Sequence, residues 1–145
     1  MPDQETIDRA REDAREGKSP STQAGEFVRE EIHHVREGKH GARSSQQAIA
    51  IGLSKARRAG VKLPPPKGSS ALKKKAAQDE KASESPRRKV SAKRSRATEK
   101  ALKREPRNSV SKPALARQAK SAAAKRGKKA RSAAAIKAAR TRKAA

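Results

Sequence analysis

The sequence predicts a small all-α N-terminal module followed by a basic tail, and three observations carry that prediction. Charge divides the chain: the 39 Lys and Arg against 15 Asp and Glu give +24 overall, yet residues 1–63 hold only +2 and residues 64–145 hold +22. Apolar content is thin, with Ile, Leu, Val and Phe at 16 of 145 residues and Phe27 the lone aromatic. Such a fraction, below roughly 20% and joined to high net charge, predicts disorder. Third, the first 63 residues alone combine helical apolar periodicity with serine caps and glycine stops. The predicted domains are a helical module over 1–63 and an intrinsically disordered Lys/Arg/Ala-rich tail over 64–145. The boundary is Pro64-Pro65-Pro66, which cannot continue a helix.

The module reads as two or three short helices. Residues 5–16 give the weakest, with Ile7, Ala10 and Ala14 as a stripe, Glu5 and Arg9 paired at i,i+4, and Gly17 as the stop. The second runs over about 23–37, capped by Ser21 or Thr22 and ended by Gly38. Ala24, Phe27, Val28, Ile32 and Val35 share an arc of about 140°, which turns Glu26, Arg29, Glu30, His33 and Glu37 toward water. The third runs over about 45–59. Ser44 with Gln47 is a capping-box pattern, Gly60 is the stop, and Arg57 and Arg58 sit in the last turn, where the helix dipole favours cations. Ala48, Ile49, Gly52, Leu53, Ala56 and Ala59 form its apolar face, small enough for a partner helix to approach closely. Arg15-Glu16-Gly17-Lys18 recurs as Arg36-Glu37-Gly38-Lys39, so one pattern of helix, glycine stop and serine cap is used twice. A core this small is marginal alone and is expected to gain stability by self-association through these helices or by binding.

The tail carries its cations in runs: Lys73, Lys74 and Lys75; Arg87, Arg88 and Lys89; Lys93 and Arg94; Lys103 and Arg104; Lys125 and Arg126; Lys128 and Lys129. With Lys120, Arg131, Arg140, Arg142 and Lys143, and with Arg57 and Arg58 of the module, these are the candidate nucleic-acid-binding residues. Self-repulsion and ordering entropy predict that the free tail is disordered, while its alanines would let helix be induced on a polyanion. Lys120-Ser121-Ala122-Ala123-Ala124 recurs eleven residues later as Arg131-Ser132-Ala133-Ala134-Ala135. On one continuous helix Lys120, Arg131 and Arg142 would then align; the alternative is a chance repeat of a low-complexity tract. Counterion release by such a tail predicts tight, steeply salt-dependent binding, and flexible lysines among alanines offer no frame for reading bases. Ser85-Pro86-Arg87-Arg88 is either a turn that presents cations to a narrow A·T minor groove or a proline break in a charged linker.

Other chemistry finds little support. Without cysteine there are no disulfides, thiolate zinc sites or thiol nucleophiles. The three histidines are His33, His34 and His40, and His33 and His34 diverge by about 100° on a helix. His33 with Glu30 or Glu37 makes only a two-ligand pair, so no metal and no cofactor is expected. Phosphate-binding glycine loops and placed nucleophile–base pairs are absent from the sequence, which argues against an enzyme. No apolar run is long enough for a signal sequence or a membrane span, so a cytoplasmic protein with no membrane partner is expected.

Residues 15–66 resemble a family of small, basic, largely uncharacterised bacterial proteins labelled as DNA-binding or plasmid-stabilisation proteins. The likeness lies in Glu26-Phe27-Val28-Arg29-Glu30-Glu31-Ile32, in the residues from Val35 to Ser44, and in Gln47-Ala48-Ile49-Ala50-Ile51-Gly52-Leu53-Ser54. It brings no catalytic residues. Residues 67–145 are similar in composition to the Lys/Ala/Pro-rich tails of bacterial linker-histone-like proteins. Together these resemblances imply a nonspecific, nucleoid-associated, histone-like DNA-binding protein acting by phosphate neutralisation. Two alternatives stay open: an RNA-binding or ribosome-associated basic protein, and a protein-interaction adaptor whose basic tail is only an anchor.

Overall fold

In the computed structural model, which describes residues 2–85 and 91–144, helices run nearly the whole length of the chain. They are α1 (Gln4–Arg15), α2 (Pro20–Arg36), α3 (Ser45–Arg58), α4 (Ser70–Glu84), α5 (Ala92–Lys103), a 3-10 turn (Asn108–Val110), α6 (Lys112–Lys125) and α7 (Gly127–Ala144). The chain divides into one unit over Met1–Val110 and another over Ser111–Ala145.

The first three helices start and stop for local reasons. The α2 helix begins at Pro20, earlier than the sequence predicts, because Ser19 rather than Ser21 or Thr22 is the cap: its side chain accepts from the Thr22 amide, and proline fits the first turn. The Ser44 hydroxyl accepts from the Gln47 amide at the start of α3, while Gln47 Oε1 turns back to the Arg43 amide at 2.6 Å. At the end of α2, Gly38 takes φ +79°, the Lys39 amide donates to His34 O at 3.0 Å, and the Gly38 amide donates to Val35 O at 3.2 Å. That pair of bonds satisfies two free carbonyls and folds the chain back along its own helix. The same pair ends α1 at Gly17 and α3 at Gly60.

Packing follows from small residues. Phe27 sits with Ala10, Ala24, Ala56 and Val61 in one core cluster, against Ile7, Leu53 and Leu63. Val35, Ala42, Ala48 and Val110 form a second with Ile32. At Gly52 α3 lies directly against α2: a Cβ there would lie 2.7 Å from Val28 Cα and 3.0 Å from Phe27 O, so the helices meet at a distance that only glycine allows.

The predicted disordered tail is overturned. Residues 70–84, 92–103, 112–125 and 127–144 are helical in the free chain, so helix does not wait for a polyanion. Averaging composition over 82 residues hid local devices that favour helix. Ser69 and Ser111 cap α4 and α6 by accepting from the Leu72 and Ala114 amides, and alanine is the best helix former. Inside α4 the buried Asp79 carboxylate binds Lys75 one turn back and, on α3, the Ser54 hydroxyl at 2.7 Å and Arg58 Nε at 2.8 Å. Beyond α5 the chain returns to the module. The Gly41 amide donates to Leu102 O and the Ala42 amide to Pro106 O, at 2.8 and 3.0 Å. Arg36 donates twice to Val110 O, and Val110 is wholly buried. One valine docked in a core is invisible to a composition average.

Candidate nucleic-acid interface

The predicted cations fall into two groups. In the first unit several are tied to carboxylates. Arg58 and Lys75 converge on Asp79, and Lys103 pairs with Glu99 one turn away at 2.7 Å. Burial alone would raise the Asp79 pKa, but the hydrogen bonds from Lys75, Ser54 and Arg58 outweigh it and hold the carboxyl below its ordinary value. Glu99 is likewise held down by Lys103. Arg57 reaches Pro64 O with Nη2 at 3.5 Å. Lys73, Lys74, Lys93, Arg94 and Arg104 are exposed on α4, α5 and the turn after it. Arg87, Arg88 and Lys89, and with them all of the Ser-Pro-Arg-Arg turn beyond Ser85, lie outside the described residues.

The second unit is different. Residues 111–144 hold twelve Lys and Arg and no Asp or Glu. Lys120, Lys125, Arg126, Lys128, Lys129, Arg131, Arg140, Arg142 and Lys143 are all exposed, and every residue of α7 faces solvent within this unit. A single stripe through Lys120, Arg131 and Arg142 does not form, because Gly127 at φ +75° separates α6 from α7; only Arg131 and Arg142 share a helix. At about 100° per residue the seven cations of α7 spread over about 240° of its circumference, leaving a sector with Ala130, Ala134, Ala138 and Thr141 free of them.

A constellation that the sequence does not predict lies under α2. Glu30 and Glu31 are both buried, although the apolar arc turned Glu30 toward water. The residue responsible is Lys55 of α3, whose Nζ stands 3.0 Å from Glu30 Oε1 and 2.8 Å from Glu31 Oε2. Burial opposes the Lys55 charge, yet the two carboxylates hold its ammonium above the ordinary lysine value. The Asp3 amide donates to Glu30 Oε2 at 3.1 Å. His40, carried back by the turn at Gly38, places Nε2 3.3 Å from Glu31 Oε1, and its ring meets that of His34 edge to face with centroids 6.2 Å apart. The signal available in the sequence was the glycine stop: it reverses the chain between His34 and His40, which the pairing of His33 with Glu30 or Glu37 passed over.

Among the described residues no helix is long and apolar enough to cross a membrane. No curated protein and no solved structure matches the chain. Residues 17–67, which span α2, α3 and their flanks and include Glu30, Glu31, His34, His40 and Lys55 but none of α4 to α7, are similar to a family described as of unknown function (DUF6496).

Proposed function

We propose that the protein binds nucleic acid without sequence preference, with DNA as its nucleoid partner, by neutralising phosphates along the exposed helices α6 and α7. One observation carries this reading: twelve cations in residues 111–144 have no acidic residue among them to compete with phosphate, and those of α7 are wholly exposed within their unit. Such a segment attracts polyanions by its field and gains free energy as condensed counterions are released. The cations of α7 spread over about 240° of its circumference, too wide for one base-reading face, which favours backbone contact over readout. In the first unit Arg58, Lys75 and Lys103 are already engaged by Asp79 and Glu99, so they contribute less.

Fluorescence anisotropy with labelled duplexes of unrelated sequence, and with a duplex RNA, across several salt concentrations tests this. Equal affinity for all DNA sequences and a steep salt slope are expected. A preference for one sequence, or undiminished affinity at high salt, would refute phosphate neutralisation; tighter binding to RNA would move the partner to RNA.

A further inference from the structure

The geometry points to a divalent transition-metal site, of a kind suited to Zn²⁺, formed by Glu31, His34 and His40. It stands independently of the nucleic-acid reading. Glu31 is completely buried; its Oε2 faces the Lys55 ammonium at 2.8 Å, while its Oε1 has no hydrogen-bond partner. A buried carboxylate in that condition calls for a compensating charge. Lys55 supplies one, but a single ammonium is shared between Glu30 and Glu31, so one negative charge of the pair is left over.

His40 identifies where that charge is met. Its Nδ1 lies 3.0 Å from Gly41 O, and since a carbonyl can only accept, Nδ1 carries the proton. In the neutral ring Nε2 is then a lone pair, and it faces Glu31 Oε1 at 3.3 Å. Two lone pairs set against each other repel unless a cation lies between them, either a proton on Nε2 or a metal ion. Zinc bonds of about 2.0 Å to oxygen and 2.0–2.1 Å to nitrogen at a tetrahedral angle put the two ligand atoms about 3.3 Å apart, the separation observed.

The third ligand comes from helix periodicity. His34 follows Glu31 by three residues on α2, so both occupy one face, and Glu31, His34 and His40 each offer a ligand atom within 4.8 Å of the others. Asp3 Oδ2 stands 3.3 Å from His34 Nε2, so with Nδ1 as the ligand atom the other ring nitrogen has a carboxylate to orient it. Lys55 holds the second oxygen of Glu31. Two imidazoles and one carboxylate form a borderline donor set that suits zinc better than the hard ions Mg²⁺ or Ca²⁺. The effect would be to clip the 38–43 turn onto α2, a cross-link suited to a cysteine-free scaffold with a core of valines and alanines.

The test uses the full, untagged chain stripped of metal. Calorimetric titration with Zn²⁺ should show one saturable equivalent that raises the thermal midpoint, Co²⁺ as a probe should give the strong visible bands of four-coordinate nitrogen and oxygen ligation, and Mg²⁺ should do neither. His34→Gln and His40→Gln should each weaken Zn²⁺ binding by at least ~100-fold, and His33→Gln should leave it unchanged. Absence of a stoichiometric Zn²⁺ equivalent in the native chain overturns the proposal whatever the variants do. So does binding that survives His40→Gln, or that falls equally with His33→Gln. If circular dichroism shows a glutamine variant unfolded, the corresponding alanine variant takes its place, and the native titration still decides.

Discussion

Single buried carboxylates decide more of this molecule than its many cations do. Asp79 accepts from Ser54, Arg58 and Lys75 and is the polar anchor of α4 on α3. Hydrogen bonds to a charged group contribute on the order of 1.5–3 kcal/mol each, and asparagine would keep the shape while losing the charge. Asp79→Asn is expected to cost about 2 kcal/mol at neutral pH, measured by urea denaturation. Because the folded pKa of Asp79 lies below its unfolded value, its contribution is present above about pH 4 and is lost as pH falls through the lowered folded value. The gap between wild type and Asp79→Asn should therefore close in acid; a gap independent of pH would remove the charge from the explanation. Glu30 shows how far helical periodicity reaches at the residue scale. The apolar arc of α2 put Glu30 in water, but periodicity describes one helix, whereas Lys55 arrives from another and makes burial of two adjacent acids tolerable.

At the scale of elements, the three N-terminal helices were legible because their signals are local: serine before, glycine after, apolar residues at helical spacing between. Their boundaries fall at Gln4–Arg15, Pro20–Arg36 and Ser45–Arg58. The small face of α3 was legible too, and Gly52 is where it matters. Gly52→Val would drive a side chain into the α2 backbone at Val28 and is expected to destabilise by about 1–3 kcal/mol, read as a lower urea midpoint. Helices α4 to α7 were not legible, since net charge and the apolar share of a segment weigh every residue alike, while a serine cap or one docked valine acts at a point. Val110→Asp tests that point directly. An unpaired charge among Val35, Ala42 and Ala48 should release residues 105–110 and expose the Gly41 and Ala42 amides to hydrogen exchange. Unchanged protection there would show that the segment is held by other means.

For the whole molecule, charge is an asymmetry along the chain and not a sign of disorder. Self-repulsion is real, but it acts on a chain whose alanines and caps favour helix locally, and in the first unit Asp79 and Glu99 offset part of it. The nucleic-acid reading predicts the size of the salt effect. Each phosphate contact removed should reduce the slope of log affinity against log salt by about 0.9, so replacing Lys125, Arg126, Lys128 and Lys129 with glutamine should flatten it by up to ~3.6 on duplex DNA. The loss should be the same for every sequence; a loss confined to one would point to base contacts. The return of residues 105–110 to the module also bears on covalent continuity. Both arms of the stretch from Pro64 to Arg104 are fastened, one by its attachment to α3 and the other by the Gly41, Ala42 and Arg36 bonds, with Asp79 gripping between them. A backbone cut at the exposed Lys67–Gly68 bond would leave two pieces that still interlock, so the protein should be reconstitutable from separately made halves.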